Sequence, residues 1–154
     1  MKVLKDKQGN PTIILIHDRV MKSSLDFKID ELDMICEKQR LSDRIKQWIL
    51  DNHTGISTYE QMGSYINDDS WEVRKVVAEY GDDSIREKLI YEDSWGVRCA
   101  IAQYGNDSQR GKLINDSDGW VRYTVARHGN NSLRDKLIND SDWGVIRAGA
   151  QFYS

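Results

Sequence analysis

A 24-residue unit recurs along the chain from Asn67 onward. Asn67–Ile90 (NDDSWEVRKVVAEYGDDSIREKLI), Tyr91–Ile114 (YEDSWGVRCAIAQYGNDSQRGKLI) and Asn115–Ile138 (NDSDGWVRYTVARHGNNSLRDKLI) are whole copies, and Asn139–Ser154 (NDSDWGVIRAGAQFYS) is a shortened fourth. A unit this short cannot bury an apolar face by itself. Self-similarity at this period therefore restricts the fold to an array in which each unit packs on its neighbours.

Two helices fill the period. Asp69 or Ser70 is placed to cap the first, helix A, with Glu72 at the capping-box position after Asp69, and Gly81, Gly105 and Gly129 stand where a left-handed residue would end it. Helix B is expected to open at Ser84, Ser108 and Ser132, with Glu87 and Asp135 three residues on, and to run to the Leu-Ile pair before the next acidic turn. Helices of about eleven and about eight residues account for the period with short connections. At about 100° per residue, Val73, Val76, Val77 and Tyr80 share one side of the first helix A. Val97, Ala100, Ile101 and Tyr104 do so in the second, and Val121, Thr124, Val125 and His128 in the third. Leu89/Ile90, Leu113/Ile114 and Leu137/Ile138 complete the core from helix B. His128 stands in a column otherwise held by tyrosine and reads as a structural, partly buried residue.

Before the repeats the pattern changes. Lys2–Lys5 and Thr12–His17 flank a Gln-Gly-Asn-Pro turn and suit an antiparallel hairpin, with Leu25–Ile29 as a candidate third strand. A helical period begins at Asp30 through Leu32, Ile35 and Cys36, and continues after Ser42 through Ile45, Trp48 and Ile49 to Asn52. After a loop at His53–Ile56, Ser57 and Glu60 form a capping box for a helix ending in Tyr65–Ile66, which aligns with Leu89–Ile90 at the same offset of 24. The expected domains are a hairpin or three-stranded cap over 1–29, a helical region over 30–66 whose residues 42–66 form a degenerate first repeat, and the repeats proper over 67–154.

Composition narrows the function. Charged residues make up 31% of the chain but the formal net charge is −3, so there is no broad attraction to nucleic acid or to an anionic membrane. A phosphate-binding role would need a local basic stripe. The most apolar stretch, Thr12–Ile16, is far too short to span a bilayer or to serve as a signal peptide, which places the chain in the cytoplasm. Cys36 and Cys99 with the scattered His17, His53 and His128 fit reduced thiols rather than a disulfide or metal site. The sequons at Asn52, Asn106, Asn115, Asn130 and Asn139 read as turn and capping residues.

Four sets of columns are candidates for function. Arg74, Arg98 and Arg122 lie on the flank of helix A, where the next repeat's acidic turn can accept charge-assisted hydrogen bonds. The expected acceptors are Asp93, Asp116 or Asp118, and Asp140 or Asp142, while the fourth copy carries Ile146 in this column. Lys75, Cys99, Tyr123 and Arg147 share one outward position, and Glu79, Gln103, Arg127 and Gln151 share the position one turn later. Trp71, Trp95 and Trp143 occupy one column nearly opposite the core, with Trp120 displaced by one residue after Gly119. These indoles either form an exposed recognition strip or fold across the Ala78, Ala102, Ala126 and Ala150 column to seal the repeat seams. Helix B carries two basic rows, Arg86/Arg110/Arg134 and Lys88/Lys112/Lys136, which are the candidate phosphate-tracking surface.

The acidic-turn, Val-Arg and Ala positions (Asp69–Val73–Arg74–Ala78, Asp93–Val97–Arg98–Ala102, Asp116–Val121–Arg122–Ala126) followed by the helix B leucine resemble the leucine-rich repeat variant family and, more distantly, HEAT repeats. The resemblance covers Asn67–Ser154. It implies a mainly α fold, a right-handed α-solenoid of short helix pairs, and a role as a binding scaffold, with DNA binding or repair known among HEAT-like relatives. The variant family's founding type also carries an N-terminal cysteine cluster for an iron–sulfur centre. Cys36 is the lone cysteine before the repeats here, so that cofactor does not carry over.

No glycine-rich phosphate loop, paired nucleophile or metal-spaced cluster is legible. The sequence thus predicts a non-enzymatic scaffold, without cofactor, metal, membrane or small-molecule substrate, that binds a protein through Trp71, Lys75, Glu79, Trp95, Gln103, Trp120, Tyr123, Arg127, Trp143 and Arg147. An inhibitor or adaptor of a phage or bacterial mobile element, acting by surface occlusion, is the setting this suggests. The alternative is a nucleic-acid-binding solenoid using the helix B rows, or a DNA-glycosylase-like enzyme using Trp, Asp and Arg on a concave face. The short array and acidic balance disfavour the enzyme.

Overall fold

The computed structural model describes residues 2–5, 8–9, 11–16, 19–20, 31–52 and 58–153. They belong to two compact units, Met1–Tyr80 and Gly81–Ser154.

The first unit opens with an antiparallel sheet of order β1-β2-β3, formed by β1 (Lys2–Lys5), β2 (Pro11–Ile16) and β3 (Arg19–Val20). Val3 lies opposite Ile14 and Leu4 opposite Ile13, and the register shifts before Lys5 meets Pro11. Proline starts its strand, where its missing N–H removes no interior ladder bond. Gly9 in the turn has φ 86°, the left-handed region that glycine enters without a Cβ clash. The third strand is Arg19–Val20, paired with Leu15–Ile16. The expected strand at Leu25–Ile29 lies outside the described residues, as do His17, Ser57 and the His53–Ile56 loop.

The two apolar runs on either side of Ser42 lie on one helix, α1 (Glu31–Asn52). Ser42, Ile45 and Ile49, spaced three and four apart, form its buried stripe. Short α2 (Thr58–Gly63) adds buried Gln61 and Met62 and ends before Tyr65–Ile66, which continue as turns with Tyr65 N–H donating to the Met62 carbonyl at 3.0 Å. α3 (Trp71–Tyr80) packs against both, burying Val73, Val76, Val77 and Ala78. Trp48 joins the sheet to α1: its indole N–H donates to the Lys5 carbonyl at 2.6 Å, and its ring meets Tyr65 edge-on at 5.4 Å. Tyr80 closes the far side, donating to Asp43 at 2.9 Å with the Lys46 ammonium 4.3 Å above its ring.

In the second unit A helices α5 (Trp95–Tyr104), α7 (Gly119–His128) and α9 (Trp143–Ala150) alternate with B helices α4 (Asp83–Leu89), α6 (Asp107–Leu113) and α8 (Asn131–Leu137). α7 packs between α5 and α9, and each B helix packs on the A helices adjoining it in sequence. Val97, Ala100, Ile101, Val121, Val125, Val145 and Ala148 are buried against Leu89, Leu113 and Leu137. Each buried valine or leucine side chain contributes about 1.5–3 kcal/mol.

The repeats depart from the sequence expectation at their ends. Tyr104 and His128 are exposed, not core. They are the final residues of ten-residue A helices, each followed by a seven-residue B helix. Ile90 is buried, but Ile138 in the same column is 58% exposed. The caps of the B helices stand two residues before the serines: Asp82, Asn106 and Asn130 accept the N–H of Ile85, Gln109 and Leu133 at 2.9, 2.9 and 3.0 Å. The reciprocal capping box forms at Asn106–Gln109, while Glu87 and Asp135 take no part in one. Ser94 caps α5 without a side-chain bond, whereas Asp118 and Asp142 cap α7 and α9. Gly105 and Gly129 are extended (φ −78° and −74°), not left-handed. A Cβ on Gly105 would lie 2.5 Å from the Ile101 carbonyl and on Gly129 2.7 Å from that of Val125, so close approach demands glycine there.

Candidate functional site

The charged columns resolve first. Arg98 of α5 makes a bidentate pair with Asp116 in the next turn, Nε to Oδ2 at 2.7 Å and Nη2 to Oδ1 at 2.9 Å, while Nη1 donates to the Glu92 and Asp93 carbonyls at 2.7 and 2.9 Å. Arg122 repeats this on Asp140 at 2.7 and 3.0 Å and on the Asp116 carbonyl at 2.8 Å. In the first unit, Arg74 donates to the Asp68 carbonyl at 2.6 Å. The two Arg–Asp pairs are largely shielded from water, and in both the acidic turn is held by the arginine of the preceding repeat. Hydrogen bonding to Asp116 raises the Arg98 pKa, and bonding to Arg122 lowers that of Asp140. Two rungs of the expected ladder are present, Arg98 on Asp116 and Arg122 on Asp140, while Arg74 is seen on the Asp68 carbonyl of its own turn.

The helix B arginines also have structural partners. Arg110 reaches back to the end of α5, donating to the Ala102 and Gln103 carbonyls at 2.8 and 3.1 Å, with Asp107 at 2.9 Å holding the guanidinium. Arg134 likewise donates to the Ala126 carbonyl at 3.1 Å and to Asn131 at 3.0 Å, with the Phe152 ring 3.7 Å away. Arg86 pairs with Asp83 at 3.1 Å. A cation at a helix C-terminus satisfies orphan carbonyls and complements the dipole. The row therefore clamps helix A to helix B, and Arg110 and Arg134 are engaged with their own fold. In the lysine row, Lys112 bonds Glu87, while Lys88 and Lys136 are exposed. The sequence reading missed the clamp. Its signal was an arginine three residues after Asp83, Asp107 or Asn131 and eight after the small alanine of helix A.

The aromatic column stands in water. Trp95, Trp120 and Trp143 are 50%, 64% and 73% exposed, so these indoles do not fold across the alanines. Ala102 and Ala126 are buried without them, under helix packing and the arginine clamp. Each tryptophan begins its A helix or follows its first residue, and the outward stripe continues along the three helices. It carries Cys99 and exposed Gln103 on α5, Tyr123 and exposed Arg127 on α7, and exposed Arg147 on α9 with exposed Gln151 at its C-cap. Trp120 and Tyr123 meet edge-on at 5.6 Å. Thr124 lies 3.7 Å from the half-buried Cys99 thiol, and burial pushes that thiol up to about 11, which keeps it protonated and unreactive at neutral pH. Arg127 approaches the Gln151 carboxamide at 3.5 Å, and among the described residues neither Arg127 nor Arg147 has a carboxylate partner.

The first-copy members of this column need correcting. Glu79 is buried, not outward: α1 packs on α3, and the Ser42 hydroxyl donates to Glu79 at 3.5 Å. Lys75 is half-buried and pairs with Glu79 at 3.2 Å. Trp71 is also half-buried, and its indole nitrogen is buried without a hydrogen-bond partner among the described residues. The exposed strip thus comprises α5, α7 and α9.

His128, at the end of α7, is exposed but keeps part of its ring from water, and this partial desolvation, with Arg110, Arg127 and Arg134 nearby, lowers its pKa. Among the described residues no His/Cys/carboxylate cluster is placed to hold a metal, and no helix is long and apolar enough to cross a membrane.

The repeat geometry matches a solved structure described as a leucine-rich repeat variant with a novel repetitive protein structural motif, at a TM-score of 0.61 over 71% of this chain. The fold is that of a leucine-rich repeat variant. At 24% identity the likeness establishes the repeat-variant fold alone, and this chain covers 45% of that one's length. No protein-family model and no curated protein matches the chain.

Proposed function

We propose that the protein is a non-enzymatic cytoplasmic scaffold that binds another protein through the exposed stripe of α5, α7 and α9. The observation that carries this reading is the exposure of Trp95, Trp120 and Trp143 on successive helices. Large indoles left in water beside arginines have the composition of interface hot spots. Their support is rigid, because the arginine pairs and clamps fix each helix to its neighbours. A scaffold of this kind acts by occluding its partner's surface, as an inhibitor or adaptor does, and a phage or mobile-element setting belongs to the same proposal. The helix B rows favour a phosphate backbone less, since Arg110 and Arg134 already bond carbonyls of their own chain.

The test is capture from the native host with and without nuclease, using the full chain and a Trp95→Ala/Trp120→Ala/Trp143→Ala variant. A protein retained after nuclease and lost with the variant is the expected result. Recovery of nucleic acid alone would overturn the reading.

A further inference from the structure

We infer that the corner where α7 gives way to α8, formed by Arg127, His128 and Arg134, binds a phosphorylated side chain of the partner as its phosphate monoester dianion. The inference rests on the protein-binding reading above and adds a chemical requirement to it.

The repeat shows what sets this corner apart. The four columns at the junction of helix A and helix B read Glu79, Tyr80, Asp83 and Arg86 in the first copy, and Gln103, Tyr104, Asp107 and Arg110 in the second. In the third they read Arg127, His128, Asn131 and Arg134, which is two arginines and an imidazole with no acid. Arg110 carries a bond on each guanidinium nitrogen, to the Ala102 and Gln103 carbonyls and to Asp107. Arg134 bonds the Ala126 carbonyl through Nε and the neutral Asn131 through Nη1, and its Nη2 has no partner among the described residues.

The three side chains lie together. The Arg134 bond to Ala126 sets its guanidinium beside the last turn of α7, which His128 ends, and 3.7 Å from the Phe152 ring. Arg127 approaches Gln151, the residue before Phe152, at 3.5 Å. His128 makes no hydrogen bond among the described residues, and the charges acting on its ring are those of Arg110, Arg127 and Arg134. Helices α5, α7 and α9 contain no acidic residue, and α6 and α8 contain one each: Asp107, paired with Arg110, and Asp135, bonded to the Tyr153 hydroxyl. Counted in full against the three arginines, these two still leave the corner positive. An anion bound there also draws a proton onto the imidazole.

A phosphate monoester suits this corner better than a diester backbone. It carries about −1.5 to −2 charges at neutral pH and three strong acceptor oxygens, enough to take donors from two guanidiniums and the imidazole. A diester chain needs a basic row that continues, and the neighbouring Arg110 is already held by its own fold. Arg127 belongs to the exposed stripe of Trp120 and Tyr123, so a protein seated on the stripe brings its side chains to the corner.

The probe is N-acetyl-O-phosphoserine methylamide, titrated into the full chain while the His128 ring resonances are followed by NMR. Saturable shifts are expected, with the His128 titration moving to higher pH. N-acetylglutamate methylamide and dimethyl phosphate should bind at least about tenfold more weakly. Arg127→Gln and Asn131→Asp restore the second copy's residues, and each should weaken binding about tenfold or more at unchanged melting temperature. Absence of a saturable shift, equal binding of the carboxylate or the diester, or indifference to both substitutions would overturn the inference. In the second arm, phosphatase treatment should release a protein captured from the native host. If that protein is retained after phosphatase and still requires the tryptophans, this inference fails and the scaffold reading stands.

Discussion

Arg98 and Arg110 show how one residue type does two jobs in each repeat. The first crosses to the next acidic turn, and the second turns back onto the end of its own helix A. Removing one member of the shielded pair leaves the other's charge and hydrogen-bonding groups unmatched. Asp116→Ala should therefore destabilise by about 3–5 kcal/mol, read as a shift in urea midpoint, and a double-mutant cycle with Arg98→Ala should show strong coupling. Additive losses would contradict the ladder. Asp140 carries a pH signature, because its pKa is held below the usual carboxylate value by Arg122. A depressed folded-state pKa gives stability that is fully present above the unfolded value of 3.8 and lost as pH falls through the folded one. Asp140→Asn should be less stable at neutral pH and flatter in the acid limb, the difference from wild type shrinking toward low pH. The pairing was legible because Arg and Asp recur together at a fixed offset. The clamp was not, since a basic row on a helix looks the same in sequence whether it meets solvent or a carbonyl.

At the scale of elements, glycine separates two situations. Gly105 sits against the Ile101 carbonyl, so Gly105→Ala should cost about 1–3 kcal/mol through forced displacement. Gly111 lies inside α6 with the nearest foreign atom, Leu133 Cδ2, at 3.9 Å from a built Cβ. Gly111→Ala should stabilise by about 0.5–1 kcal/mol, and calorimetric melting of the two variants should move in opposite directions. The helix pairs themselves were readable from periodicity and the Gly and Leu-Ile punctuation. Their caps were misplaced by two residues because Asp82, Asn106 and Asn130 stand just ahead of serines that are themselves good caps. Gln109 was invisible as a core residue. It is buried at a column held by Ile85 and Leu133, and is satisfied by the Asp83 carbonyl at 2.9 Å and by its own capping box. The 22-residue α1 was read as two shorter runs, since nothing in sequence reveals that α3 will bury Ser42 in the middle of a helix.

For the whole molecule, the charged columns that dominate the sequence serve the fold, and the aromatic column faces solvent. That division explains why architecture was legible and the site only partly so. Repetition reports packing constraints shared by every copy, whereas burial of Glu79 and exposure of Trp143 depend on what covers each helix. The proposed function assigns recognition to the tryptophans and not to the basic rows. The measurement that tests it most directly is the affinity of the captured partner for three purified chains: wild type, Trp95→Ala/Trp120→Ala/Trp143→Ala, and Lys88→Ala/Lys136→Ala, each with its melting temperature. The account predicts that the tryptophan variant melts like wild type and loses at least about a hundredfold in affinity, while the lysine variant binds normally. Undiminished binding by the tryptophan variant, or loss confined to the lysine variant, would contradict it.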